Sequence, residues 1–154
     1  MGSLESRSMY VADNPSRIGQ TVPWREDDPV QAQRERRRVL IVDDQKLIAD
    51  SLVEILGNTG FEALAAYDGW EALEIARRFH PDWLLSDVLM PRINGVELAI
   101  AFRNTHPKTA ILLFSGQAGI SEILQDGKNR GYEFELIAKP IHPLRIIERL
   151  NEQQ

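Results

Sequence analysis

Short apolar runs alternate along this chain with longer segments in which apolar residues return every three or four positions. The runs fall near 38–42, 61–66, 83–86, 110–114 and 134–138. They are apolar throughout rather than alternating, as strands buried on both faces require. Between them, Ile48, Leu52, Ile55 and Leu56 form one helical stripe, and Ala72, Ile75, Ala76 and Phe79 a second. Val96, Ala99, Ile100 and Arg103 mark a third, with Phe102 beside it. Ile120, Ile123 and Leu124 make a weaker fourth, interrupted by Gly119 and Gly127, and Leu144, Ile147 and Leu150 a short fifth. Gly60, Pro81, Pro107 and Gly131 punctuate the returns from helix to strand. Five strands alternating with five helices predict a single doubly wound α/β domain around a parallel five-stranded sheet.

The pattern starts late. Residues 1–36 are polar, with scattered Ser, Gly, Pro and Asp, and read as a flexible extension; residues 37–154 form the folded domain. Within the extension, Asp28-Pro29 has the form of a helix start, and such a helix would run through Arg34-Glu35-Arg36-Arg37-Arg38 into the first strand. That basic run reads as a solvated face or linker. All three histidines precede proline, at His80, His106 and His142. A residue before proline is pushed out of helical geometry, so the first two mark helix exits and the third the start of the last helix.

Composition narrows the partners. Residues 1–38 carry seven Arg against six acids, and residues 39–154 eleven Lys and Arg against seventeen acids. An acidic domain is a poor nucleic-acid binder, because phosphate affinity comes from clustered cations, so no direct nucleic-acid contact is expected. The longest apolar runs, Val39–Val42 and Ala110–Phe114, are far too short to span a bilayer. No secretory signal is evident, and the chain has no cysteine. A cytoplasmic protein without membrane contact is expected.

The unusual polar residues all fall at one edge. Asp43-Asp44 follow the first strand, Asp87 the third, Ser115 the fourth and Lys139 the fifth. In an open parallel sheet, ligands bind outside the carboxyl ends of the strands, where strand order reverses. With the order 2-1-3-4-5, the crevice lies between strands one and three and gathers these five residues. Two carboxylates about 4 Å apart repel by roughly 4 kcal/mol at an effective dielectric near 20. Some must be protonated, or a cation must sit among them. Carboxylates suit a hard divalent ion, and Mg²⁺ is the usual one beside phosphates. Lys139 suits a phosphoryl oxygen, and Ser115 offers a hydroxyl donor. Such a set matches phosphoryl transfer, where positioning and charge stabilisation do most of the catalysis. Taken singly, each residue has a plainer explanation: Asp44 as a helix N-cap, Asp87 and Ser115-Gly116 as turns, Lys139-Pro140 as a strand exit.

The ordered motifs resemble the response-regulator receiver family. Val39-Leu40-Ile41-Val42-Asp43-Asp44 is similar to its opening strand, and Ser86-Asp87-Val88-Leu89-Met90-Pro91-Arg92-Ile93-Asn94-Gly95 to its phosphoacceptor strand and loop. Phe114-Ser115-Gly116 resembles its hydroxyl switch position, and Lys139-Pro140 its lysine with the following proline. The resemblance covers roughly residues 37–151. It implies a flavodoxin-like (βα)5 receiver in which Asp87 is the phosphoacceptor nucleophile. Asp44 and Asp87 would bind Mg²⁺ together with the backbone carbonyl of Leu89, and Asp43 would complete the acid pocket. Lys139 would pair with phosphoryl oxygens, and Ser115 would report phosphorylation to the face made by helix 4, strand 5 and helix 5, also a candidate homodimer contact. The donor would be a sensor histidine kinase or a histidine phosphotransfer protein, and the output a downstream protein target. The resemblance implies a phosphoacceptor that promotes its own phosphorylation and slow dephosphorylation, not an enzyme, and a cis bond between Lys139 and Pro140. Because the chain stops soon after the last helix, a stand-alone receiver is expected.

Some positions depart from the family pattern. Leu136 stands where a switch Tyr or Phe is usual, with Phe134 two residues earlier. Asn94 stands where Asp is common, and Gly131-Tyr132-Glu133 suggests a longer connection into the fifth strand. Gly119 and Gly127 predict a weakly stabilised fourth helix, since an interior Gly costs up to about 1 kcal/mol against Ala. Leu89 and Gln117 flank the pocket, and an apolar residue at 89 is expected to slow self-dephosphorylation. Three alternatives compete. One is a receiver-like interaction module that works without phosphorylation, kept open by Leu136. A haloacid-dehalogenase-like phosphatase would want Asp-x-Asp, which Asp43-Asp44-Gln45 lacks. A flavodoxin-like cofactor binder would want a phosphate loop where two acids stand.

Overall fold

The computed structural model describes residues 36–116 and 120–152. The expected flexible extension, except for Arg36, lies outside them, as do the helix start at Asp28-Pro29, Gln117 and Gly119. Arg36–Gln154 is one compact unit. Its strands are β1 (Arg38–Val42), β2 (Glu62–Ala66), β3 (Trp83–Asp87), β4 (Ala110–Ser115) and β5 (Glu135–Ala138). Its helices are α1 (Lys46–Gly57), α2 (Gly69–Phe79), α3 (Gly95–Thr105), α4 (Ser121–Asn129) and α5 (Pro143–Glu152). The strands pair in parallel in the order β2-β1-β3-β4-β5, as expected.

Side-chain alternation along the central strands divides the core in two. Leu40, Val42, Leu84 and Leu113 face one layer, where α2 and α3 supply Ala72, Ala76, Phe79, Val96, Ala99 and Phe102, and Ile123 and Leu124 of α4 pack against it partly buried. Val39, Ile41, Leu85 and Leu112 face the other, where α1 and α5 supply Ala49, Leu52, Leu56, Ile146 and Leu150. Burying one such large side chain contributes about 1.5–3 kcal/mol, so two apolar layers hold the sheet from both sides. The edge strands differ from the expected uniform burial. Leu64 of β2 is 41% exposed, and no residue of β5 is fully buried.

Two stripe assignments need correction. Arg103 is solvent-exposed, and Phe102 takes the core position, because α3 is wedged between α2 and α4 and buries most of its circumference. Leu144 is 60% exposed, and Ile146 is the buried residue of the α5 face, with Leu150 one turn on. Among the described residues of α4, only Gly127 is buried, so the helix is held weakly, as its glycine predicts. A β-carbon at Gly127 would press on Val96 of α3, which shows how close the two helices run.

Helix ends explain the histidines. His80 closes α2 in the left-handed region at φ 50°, and His106 closes α3. His142 stands before α5, where its Nδ1 accepts the Leu144 N–H at 3.2 Å. Asn94 caps α3 in a reciprocal capping box with Glu97, so Asn performs the same local task that Asp would. The Lys139–Pro140 bond is cis. None of the described helices is long and apolar enough to cross a membrane.

Candidate functional site: an acidic pocket at the carboxyl edge of the sheet

Register brings the distant acids together. Val42 of β1 pairs with Ser86 of β3, so the residues that follow them, Asp43 just past β1 and Asp87 at the end of β3, stand at the same level. Asp87 is level with Phe114 of β4, and Ser115 with Ala138 of β5. The Lys139 N–H then donates to the Ser115 carbonyl at 2.8 Å, which aims the lysine at the pocket. One carboxylate oxygen from each of Asp43, Asp44 and Asp87 lies within 4.8 Å of the others. Lys139 Nζ is 3.2 Å from Asp87 Oδ2 and 3.7 Å from Asp43 Oδ2. Four of the five predicted site residues thus meet directly. Ser115 stands at the same edge, half-buried at the end of β4. Leu89, two residues past Asp87, is 37% exposed.

The floor of the pocket is short of hydrogen-bond partners. Asp43 is 1% exposed, and its Oδ1 accepts the Gln45 N–H at 2.9 Å. Its Oδ2 is buried with no hydrogen-bond partner, although Lys139 lies within ion-pair distance. Burial pushes the Asp43 carboxyl above the ordinary value; the Gln45 N–H and Lys139 pull it back, and Asp87 and Asp44 push it further up. A buried oxygen without a donor, facing two more carboxylates, is the arrangement a hard cation satisfies. The residues present therefore fit a divalent ion held by Asp43, Asp44 and Asp87.

The expected capping role for Asp44 is not found. The N-cap of α1 is Gln45, which makes no side-chain cap bond, and the exposed Asp44 is left to the pocket. The loop after β3 is held at its base by Gly95. Its N–H donates to the Val88 carbonyl at 2.8 Å, and a β-carbon there would overlap the Asp87 carbonyl oxygen. Only glycine lets the start of α3 pass so close to the end of β3. Ser86 Oγ donates to that same Asp87 carbonyl at 2.9 Å. Sequence reasoning passed over Asp68 and Arg92. Asp68 caps α2 by accepting the Glu71 N–H at 2.7 Å and also binds Arg92 of the β3–α3 loop at 2.8 Å. The Asp68-x-x-Glu71 spacing signals the cap, but no local signal announces the second contact.

An order 2-1-3-4-5 sheet with an acid cluster and a lysine at its carboxyl edge defines a class of signalling α/β domain, and comparison with known proteins agrees. The response regulator receiver domain model matches residues 39–151, and the chain belongs to that family. The response regulator MprA of Mycobacterium leprae is 39% identical over 85 residues, 55% of this chain and 37% of its own length. MprA of Mycobacterium tuberculosis is 36% identical over the same span. The chain thus spans well under half the length of these curated relatives. Among solved structures, chemotaxis protein CheY4 of Vibrio cholerae is 30% identical with a TM-score of 0.67, over 77% of this chain and 99% of that one. A CheY-like receiver domain protein from Methanospirillum hungatei is 26% identical with a TM-score of 0.69, over 77% and 94%.

The Asp43 environment makes a stability prediction. Between the ordinary carboxyl value of 3.8 and the raised one, the folded state holds a proton that the unfolded chain has released. Metal-free stability therefore falls as pH climbs through that window and stays reduced above it. Asp43→Asn keeps an acceptor for the Gln45 N–H and cannot ionise. Thermal melts in EDTA at pH 7 should place its midpoint above wild type by about 3–5 °C, the shift that roughly 1 kcal/mol makes in a domain of this size. The gap should close toward pH 4. A lower midpoint for Asp43→Asn at pH 7 would show that the pocket is not strained by its charge.

Proposed function

We propose that this receiver domain takes a phosphoryl group onto Asp87 in a Mg²⁺-dependent reaction and signals through phosphorylation-dependent protein contacts. The observation that carries the reading is Lys139 Nζ, 3.2 Å from Asp87 Oδ2, at the rim of a three-carboxylate cluster. A carboxylate oxygen of Asp87 attacks phosphorus in line. The O–P bond forms as the P–N bond of a donor phosphohistidine breaks, and the departing imidazole nitrogen keeps the electron pair. Asp87 suits the task because it is reachable, with 14% of its side chain exposed, while Asp43 beneath it is closed to solvent. Lys139 follows the charge: it leaves the free carboxylate and meets a phosphoryl oxygen of the acyl phosphate. Asp43, Asp44 and Asp87, with the Leu89 carbonyl, would hold Mg²⁺, which supplies positive charge to offset the phosphoryl oxygens. Ser115 donates its hydroxyl to the modified site and links it to β5. The donor is a sensor histidine kinase or phosphotransfer protein, and the setting is cytoplasmic.

Leu136 bears on the output. It is partly buried against the α2–α4 layer and, with Val96, Leu124 and Phe134, lines a groove of about 270 Å³. Phe134 is instead stacked on Tyr132, with ring centroids 6.2 Å apart, and covered by the Arg103 guanidinium. With an aliphatic residue at 136, the reading invokes no swing of an aromatic ring there.

Intact mass after incubation with Mg²⁺ and a small acyl-phosphate donor tests the chemistry. Wild type should gain one phosphoryl group, labile to hydroxylamine, and Asp87→Ala none. A folded wild type that gains nothing would leave the phosphorylation-independent module as the better reading. A second expectation concerns lifetime. Leu89 presents an apolar surface where a hydrolytic water would approach phosphorus, so Leu89→Asn should lose the group several-fold faster when the donor is removed. Equal decay rates would exclude Leu89 from that role.

A further inference from the structure

The loop after β3 carries more than the proposed carbonyl ligand at Leu89. Arg92, a non-glycine residue, sits in the left-handed region at φ 71°, where a β-carbon is strained. Its guanidinium reaches out of the loop to Asp68 Oδ2 at 2.8 Å, and Asp68 Oδ1 simultaneously accepts the Glu71 N–H at 2.7 Å. One carboxylate therefore caps α2 and holds the β3–α3 loop. Beside it, Ile93 fills the space left by Gly69; a β-carbon at Gly69 would overlap the Ile93 side chain. The base of the same loop is closed by the Gly95 N–H to Val88 carbonyl bond. Leu89, the proposed carbonyl ligand, lies between the closed base and the held residue. The start of α2 is itself tied back toward the first helix. Tyr67 donates its N–H to Glu71 Oε1 at 2.7 Å and its hydroxyl to Asp50 of α1 at 2.5 Å.

We propose that Arg92 and Asp68 are positioning residues: their ion pair latches the β3–α3 loop to the start of α2 and so holds the Leu89 carbonyl in place for the cation. The proposal rests on the reading of the acid pocket as a Mg²⁺ site. Neither residue belongs to the acid cluster of Asp43, Asp44 and Asp87. An exposed ion pair ordinarily contributes little to stability, and 64% of the Arg92 side chain is exposed. What sets this pair apart is that it restrains a strained backbone three residues from a proposed ligand. The strain is retained in exchange for a fixed loop, and this separates the effects of two substitutions. Arg92→Gly removes the strain and the latch together. Asp68→Asn keeps an oxygen for the α2 cap, since Asn caps as well as Asp, but loses the charge that holds Arg92.

The test is Mg²⁺ titration by calorimetry on the full chain, with thermal melts of the same proteins in EDTA. Both variants should bind Mg²⁺ roughly three- to tenfold more weakly, below the usual cost of losing a ligand-orienting contact because this pair is exposed. The metal-free midpoint of Arg92→Gly should equal or exceed wild type. Affinity falling while stability holds is a result that a merely structural role would not give. Variants that bind Mg²⁺ within about twofold of wild type would overturn the latch while leaving the site intact. A midpoint that falls in step with affinity would overturn it too, by reducing the pair to a stability contact. A wild type that takes up no Mg²⁺ would overturn the reading of the site itself, and the latch with it.

Discussion

Three carboxylates share the carboxyl edge of the sheet, and one lysine faces them. That imbalance is the constraint on which the rest of the site depends. Asp43 cannot move out to water, because it follows directly on β1 and is closed in at 1% exposure. Its Oδ2 has no donor, and burial holds its carboxyl above the ordinary range. Lys139 lies within ion-pair distance of Asp43 and Asp87 at once and neutralises neither fully. Ordinary stability would not select such a cluster, since apolar residues in its place would cost less. Positive charge brought from outside would satisfy such a cluster.

The fold supplies what the cluster needs. Parallel pairing puts every strand end on one side, and the crossing from β1 to β3 at the centre of the order sets Asp43 beside Asp87. Two apolar layers hold these strands rigidly, so the acids stay close despite their repulsion. The β3–α3 loop is pinned by Gly95 at its base and by Arg92 on Asp68 at its crest. The β5 side is looser, with an edge strand and a fourth helix that buries only a glycine among its described residues. Asp87 thus has fully buried strand neighbours toward β1 and a less buried edge toward β5.

The chain's pattern made most of this legible. Strand placement came from dense apolar runs bounded by Gly and Pro, and β1, β3 and β4 fall within a residue or so of expectation. The site was legible for a related reason: a parallel sheet converts strand order into proximity, so acids at strand ends can be placed without side-chain detail. What resisted was anything decided by a helix's rotation or by a second oxygen. Leu144 and Ile146 sit two positions apart on a short helix, and only packing on the sheet decides which turns inward. Asp44 resembled a cap, yet Asp43 took the nearby Gln45 N–H and left Asp44 to the pocket. Asp68 was readable as a cap but not as a partner for Arg92, 24 residues away, because that contact exists only once β2 and β3 flank β1.

The central claim is that the acid pocket is incomplete without a divalent cation. Its most direct test is the unfolding midpoint of wild type at pH 7 as Mg²⁺ is raised at constant ionic strength, beside a variant carrying both Asp43→Asn and Asp44→Asn. A ligand that binds only the folded state stabilises it by about 2.7 kcal/mol at a hundredfold excess over its dissociation constant. The account predicts a midpoint that climbs steadily with Mg²⁺ in wild type, does not climb with Na⁺, and stays nearly flat in the double variant. A wild-type midpoint indifferent to Mg²⁺ would contradict it.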